Sequence, residues 1–590
     1  MGLETVRPVI EADPRPWLVS VLLALSACPT DTSQEPTATT GSATESGATS
    51  DTAGATTGEP APTTGGDSGE QAELLPPRAR LLRISMALRG LRPSPADLAA
   101  VEADAEALPG IVDTYLDSPE FGATVRDLHN DALLVLADFG VPPAGFLAKD
   151  TLAGMDIYAA NRAIMEAPLR LIEHVVTGDL PYGDIVTADY TLADEAVAGV
   201  WGLTHTGDGW QVIDPPPDLR KAGILADSWM FTRHGSTVSN AGRGRANAVS
   251  RALLCFDFLD RDIEIDASVD LADPNAVAKA VQDNPTCVAC HQQLDPLASF
   301  FEGYKLNFVP LVVPYPQDHY ASGFFTKVLQ VDMRAPHYFG SPGDSLADLG
   351  ALIAQDPRFS LCAARRAHAY FHQVDLGEVP FEAAAELQAA LLAGGMHYKA
   401  MIRALVLRPD FALATGPEGR RRSRPGQLAA LIADLTGFRW RTDLTPYGAG
   451  KIDLMDDSMI GYHVLAGGID AIFVQKPSYT YNATTSLTLR GLARQAASAV
   501  VEADFAEPDL AKRRLFTLVS AVDSGAADLR PQLVVLHRNF YGDELAEDSL
   551  EIEESLALFK SALATSPGDI ERAWKTTLIA LLQDVRIAFY

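Results

Sequence analysis

Cysteine is scarce in this chain, five in 590 residues, and 47 lysines and arginines face 77 aspartates and glutamates. A net charge of -30 and a pI near 4.7 argue against nucleic acid, whose phosphates call for a basic face. They argue equally against peripheral docking on anionic lipid. From Pro29 to Glu73 there is no Lys, no Arg and no aromatic residue, so nothing there can bury enough apolar surface to offset its ordering entropy. That stretch reads as a disordered tether. The apolar run Trp17 to Ala24 is too short to cross a bilayer comfortably. No second Cys/His pair stands at zinc spacing, and beyond Gln427 there is no nucleophile–base pairing, phosphate loop or metal quartet.

What is present near the start reads as an export signal. Trp17 to Ala24 has the length of a signal-peptide core, and Leu25-Ser26-Ala27-Cys28 resembles a bacterial lipobox, making Cys28 a lipidation site. Pro29 after that cysteine favours the outer membrane or cell surface by analogy, with the lipid as the only membrane contact. An ordinary secretory signal is the alternative, and either places the chain outside the cytoplasm.

The organising motif is Asn284-Pro285-Thr286-Cys287-Val288-Ala289-Cys290-His291. With Asn284 as a helix cap and Pro285 at the first position, Cys287 and Cys290 fall one turn apart on one face. Two such sulfurs suit thioether bonds to haem vinyl groups, and His291 suits axial ligation of the iron, which is c-type haem attachment. Half a zinc site or a chance cluster is the competing reading. With Cys28 assigned to lipid and Cys287 and Cys290 to haem c, Cys255 and Cys362 remain. In an oxidising compartment they suggest a disulfide, two separately buried thiols being the alternative.

Periodicity predicts a mainly α, multidomain protein with a cytochrome-c-like haem segment and one small β-hairpin. The expected divisions are a signal peptide over 1–28, the tether over 29–75, a helical domain over 76–218, a haem-binding domain over 219–415, a solvated basic linker over 416–426 and a mainly helical domain over 427–590. Helices are expected after Ser94-Pro95, near Ile111 to Leu116, over Val125 to Phe139, Leu346 to Ile353, Leu361 to Phe371, Leu428 to Leu435, Leu487 to Glu502, Asp548 to Leu563 and Ile570 to Leu582. Recurrent steps such as Asp117-Ser118-Pro119 and Asp356-Pro357 read as helix ends. Phe308 to Val313 and Phe324 to Val331 supply the two expected strands of the hairpin. His129 reads as a surface or core histidine.

The segments Thr187-Ala188-Asp189-Tyr190-Thr191, Gly223-Ile224-Leu225, Arg243-Gly244-Arg245, Leu253-Leu254-Cys255 and Cys287-x-x-Cys290-His291-x-x-Leu294-Asp295-Pro296 occur in that order. In this the chain resembles a family of large, secreted, cytochrome-c-like proteins of unknown function found in planctomycetes and myxobacteria, over about Arg80 to Phe411. The resemblance implies covalent haem. The chain departs from that pattern at Phe256-Asp257-Phe258-Leu259-Asp260, where the family has prolines, and at Phe300-Phe301-Glu302-Gly303-Tyr304 after the haem motif.

A low-spin carrier needs a sixth iron ligand. Candidates are Met333 and His337, which follow the expected hairpin, then His368, His372, Met396, His397, Met230 and His234. His368 and His372 are spaced i, i+4, which also suits zinc, but no third ligand is visible beside them, so a satisfied surface pair is the expectation. The leading functional reading is a lipid-anchored mono-haem protein passing single electrons to an envelope partner. A haem-dependent oxidoreductase or peroxidase is the second reading, and a non-catalytic binding scaffold with a structural haem or disulfide the third.

Overall fold

Four helix starts in the described residues pair a side-chain cap with proline, whose φ suits the first turn and which has no N–H to orphan. The computed structural model describes residues 73–137, 157–201, 203–215, 217–260, 266–305, 320–414, 420–445, 448–457, 461–520 and 528–590. The expected signal peptide, Cys28, the tether up to residue 72 and the segment Phe308 to Val313 lie outside the described residues. Proline opens α1 (Pro77–Arg89), α2 (Pro95–Ala103) and α4 (Pro119–Leu133) and is second in α3 (Leu108–Leu116). Ser94 caps α2 by accepting from the Asp97 amide at 3.1 Å. The Pro119 and Pro357 steps therefore start helices as much as they end them. That moves the helix expected over Val125 to Phe139 to Pro119–Leu133, closed by Leu134 in the left-handed region.

The long helices continue as α5 (Ile157–Thr177), α6 (Arg243–Leu254), α7 (Pro274–Asp283), α8 (Pro285–Ser299), α9 (Leu346–Gln355), α10 (Pro357–His372), α11 (Phe381–Ala393) and α12 (Tyr398–Leu407). After the basic run come α13 (Pro425–Thr436), α14 (Ala483–Ala506), α15 (Arg530–Tyr541), α16 (Leu550–Thr565) and α17 (Ile570–Leu582). The strands among the described residues form three antiparallel pairs: β1 (Thr191–Ala193) with β2 (Gln211–Ile213), β3 (His337–Tyr338) with β4 (Ser341–Pro342), and β5 (Arg441–Thr445) with β6 (Gly448–Asp453). The protein is mainly α with small two-stranded sheets. Among the described residues no helix is long and apolar enough to cross a membrane.

The expected strand Phe324 to Val331 is instead a π-helical turn, Phe324–Val328. Gly323 enters it at φ 79, where a side chain would be strained, and its amide donates to Glu302 Oε1 at 2.6 Å. Thr326 donates to the other Glu302 oxygen at 3.0 Å, and Phe325 is fully buried, so local capping and burial override the β-propensity.

Gln71–Tyr590 forms one compact unit with two main hydrophobic cores. Side chains from both sides of the expected 218/219 division enter the first, from Leu81 through Ile172, Leu253 and Leu297 to Phe411. The second gathers α13 to α17. Helix α1 serves both, with Leu81, Ile84 and Leu88 in the first and Met86 in the second.

The basic run is not a solvated linker. Arg421, Arg422 and Arg424 are 1%, 3% and 5% exposed. Arg421 and Ser423 pair their backbones with Tyr590 and Ala588, the C-terminal edge of the second core. Arg421 Nε donates to the Phe371 carbonyl at 3.0 Å, at the end of α10 in the first core. Arg422 donates to the carbonyls of Ser478 (2.6 Å), Thr480 (2.9 Å) and Ala466 and to Thr485 Oγ1 (3.0 Å). A guanidinium's fork of donors can satisfy several carbonyls at once, which is how a strongly basic stretch comes to be buried.

Cys255 and Cys362 form a disulfide, tying the C-terminus of α6 to the middle of α10. Across a sequence separation of 107, the chain-entropy account gives about 4.7 kcal/mol. The Cys255→Ala, Cys362→Ala double variant should lose about 2 to 5 kcal/mol in guanidinium unfolding. An unchanged midpoint would remove the bridge from the list of stabilising features.

His129 is a satisfied core histidine: Nδ1 donates to the Val125 carbonyl at 2.7 Å and Nε2 accepts from the Tyr182 hydroxyl at 3.0 Å. Burial lowers its pKa, and that of His234, to about 4. Unfolded histidine titrates near 6.5, so their contribution to stability is complete above about 6.5 and is lost as pH falls toward 4. Asp131, raised to about 6 mainly by burial, takes up its proton in the folded chain and works the other way in the same window. Burial lowers His368, His372, His463 and His537 in the same direction, so the histidines outweigh the carboxyl and stability should fall between pH 7 and 4. A flat stability profile across that range, or a slope unchanged in His129→Gln, would contradict this.

Candidate haem-attachment site

The Cys287-x-x-Cys290-His291 motif occupies the first two turns of α8. Asn284 closes α7, its amide donating to the Ala280 carbonyl at 2.9 Å, and caps α8 by accepting from the Thr286 amide at 3.1 Å. Its Nδ2 also donates to Asp266 Oδ2 at 2.8 Å, fixing the α7–α8 corner. Neither Cys287 nor Cys290 is in a disulfide, both are half-buried, and Cys290 packs against the first core. Pro285 and Thr286 beside them are exposed, so one edge of the motif faces solvent.

His291 is oriented by a carboxylate one turn further along. Its Nδ1 lies 2.8 Å from Asp295 Oδ1, and Arg243 grips the same carboxylate with Nε at 2.6 Å and Nη2 at 3.1 Å. Arg334 Nε stands 3.9 Å from Oδ2. Burial alone would raise the Asp295 pKa, but hydrogen bonds from His291 and Arg243 outweigh it and hold the carboxyl at about 2. An ionised Asp295 accepts the Nδ1 proton, which leaves the lone pair of His291 on Nε2, the nitrogen a metal takes.

Arg243 reaches Asp295 because α6 begins beside α8. Gly242, at φ 85, brings its backbone so close that a Cβ there would lie 3.0 Å from the Ala298 carbonyl. Arg245, buried on the same helix, donates to the carbonyls of Tyr304 and Lys305 at 2.9 Å each and holds the chain leaving α8. The Arg-Gly-Arg and Leu-Leu-Cys segments thus sit at the two ends of one helix, which carries the Asp295 anchor at its start and the disulfide at its end. Nothing local in the sequence gives Arg243 this role, whereas the i, i+4 spacing of His291 and Asp295 is a signal for their contact.

Of the sixth-ligand candidates, Met333 and His337 lie on the segment that packs against α8. Arg334 beside Met333 donates to the Val281 carbonyl of α7 at 3.0 Å, and β3, which starts at His337, contacts α8. His337 Nδ1 accepts from the Gly340 amide at 3.2 Å, so its neutral form carries the proton on Nε2, a poor arrangement for a ligand. Met333 is half-buried. Met230 is buried in the first core and His234 Nε2 is bonded to the Leu133 carbonyl at 3.1 Å. Met396 and His397 precede α12, where the Met396 carbonyl holds the Tyr182 amide at 2.8 Å.

His368 and His372 are not the satisfied surface pair expected. Both are 3% exposed, on the inward face of α10, with their rings stacked. Comparison of the chain with protein-family models, with curated proteins and with solved structures finds no match.

Proposed function

We propose that this chain is an exported c-type haem protein, held at the envelope by lipid on Cys28, that passes single electrons between partners. The observation that carries the reading is the donor set on α8. Two cysteines outside any disulfide stand one turn apart, followed by a histidine whose Nδ1 is already committed to an ionised, arginine-held carboxylate. Haem bound there would supply a reversible one-electron couple. Cys287 and Cys290 would hold it covalently, His291 Nε2 would ligate, and Met333 would supply the further ligand. The acidic surface fits a basic redox partner steered by charge.

Protein from a host that matures c-type haem should give a pyridine haemochrome spectrum and a haem-stained band that survives denaturing gels. Intact mass lacking one haem per chain would end the reading. A high-spin spectrum with peroxide turnover would select the oxidoreductase reading instead of the carrier.

Asp295→Asn keeps the shape and removes the charge. It weakens the imidazole's donation to the metal, so the oxidised state is stabilised less. A tenfold change in that preference corresponds to about 59 mV for one electron, and the midpoint potential should rise by about that much. An unchanged potential would show that the Arg243–Asp295–His291 chain does not act on the ligand.

A further inference from the structure

We propose that His368, His372 and Asp410 form a second metal site, taking a divalent first-row transition ion such as Zn2+. The site does not depend on the haem reading. His368 and His372 share one face of α10, and Asp410 opens the 3-10 turn Asp410–Ala412 that follows α12. One donor atom of each lies within 4.8 Å of one donor atom of the other two. A tetrahedral ion about 2.1 Å from each donor holds the donors about 3.4 Å apart, which requires the two stacked imidazoles to turn about their Cβ–Cγ bonds so that both lone pairs converge on it.

The second observation is that the nitrogens have nothing else to do. His368 Nδ1 and His372 Nε2 are buried with no hydrogen-bond partner, on side chains that are 3% exposed. His372 Nδ1 lies 3.3 Å from the His368 carbonyl, a contact that puts the proton on Nδ1 and the lone pair on Nε2. The rings stack 3.9 Å apart at 7°, an arrangement for neutral imidazoles and not for two cations.

Asp410 keeps room for an ion. Arg408 Nε sits 3.1 Å from each of its oxygens and the Phe411 amide donates to Oδ1 at 2.9 Å, which uses three of about four acceptor positions on a carboxylate. The nearest cations oppose binding: Arg408 is shared between Asp410 and Glu386, and Arg421 is turned to the Phe371 carbonyl. Two imidazoles and one carboxylate suit Zn2+ and related ions better than Ca2+ or Mg2+, which prefer all-oxygen shells. Three protein donors leave a coordination position for water, with Asp410, the half-buried member, on the open side. The ion would clamp the end of α10 to the turn that precedes the buried arginine run.

The test is equilibrium dialysis of the full chain, stripped with EDTA, against Zn2+, with metal content read by mass spectrometry. The Cys287→Ser, Cys290→Ser chain keeps those thiols out of the measurement, and haem-matured protein, whose thiols are consumed as thioethers, is the second arm. The expected result is one Zn2+ per chain in both arms, a higher unfolding temperature with Zn2+, and loss of binding and of that shift in His372→Gln. Asp410→Asn, on a half-buried turn, should bind at least tenfold more weakly and serves if His372→Gln does not fold. No zinc in either arm, zinc retained in full by His372→Gln, or zinc bound undiminished by Asp410→Asn would overturn the site.

Discussion

Cys287→Ser should lower covalent haem at least tenfold per chain while leaving the folded body intact, and Cys287→Ser with Cys290→Ser should abolish it. Both thiols sit at a half-buried helix start, outside any disulfide, where serine is close in shape. The capping of α8 comes from Asn284 and not from either cysteine. Cys287→Ser should therefore cost less than about 1 kcal/mol of stability, and the double variant somewhat more, because Cys290 packs against the first core. Helical signal and unfolding midpoint should stay in place while the haem-stained band disappears. His291→Ala separates attachment from ligation, since thioethers need the sulfurs and the axial bond needs the imidazole. Haem content equal to that of the unaltered chain after Cys287→Ser would mean that α8 is not where the cofactor is held.

The largest loss of stability should follow Arg424→Ala. Arg424 Nε lies 2.6 Å from Asp127 Oδ2 and Nη2 lies 2.9 Å from Asp131 Oδ1, with only 4% of the side chain exposed. Its guanidinium also stands 4.4 Å from the Tyr370 ring, and Nη1 donates to the Tyr479 hydroxyl at 3.2 Å. Burial opposes charge on Arg424, but Asp127 and Asp131 overcome this and hold its pKa well above the usual value. Truncation leaves the half-buried Asp131 and Asp127 side by side without the guanidinium that bridges them, Arg366 being the remaining cation near Asp131. Breaking such a pair from one side typically costs about 3 to 5 kcal/mol. A fall of that size in guanidinium unfolding, partly recovered by adding Asp131→Asn, is the expected result. A loss below about 1 kcal/mol would show that the cluster is solvated in a way its burial does not suggest.

The helices were legible wherever periodicity and caps agreed. Ile570–Leu582 matches the expected span, and α13, α14 and α16 match to within a few residues. The helix start at Asn284-Pro285 was equally readable, because a cap and an N1 proline act within one turn of chain. What escaped was non-local. Phe324 to Val331 has strand composition, but Glu302, far back in sequence, caps it into a helical turn. The run from Arg420 to Arg424 looks solvated in any window of sequence, since the carbonyls and carboxylates that accept its protons come from residues 127, 131, 371, 466 and 478. His368 and His372 lacked a third ligand on paper because Asp410 lies on another element.

The sequence by itself determined the helical class and the pairing of two thiols and an imidazole on one capped turn. Those depend on neighbours within about four residues, where backbone hydrogen bonding sets the geometry. Only the tertiary structure decided that Arg243 reaches across to Asp295, that the arginine run is buried between two cores, and that two histidines and Asp410 share one interior space. Burial and charge compensation depend on which distant segments arrive at the same place, and no local spacing encodes that.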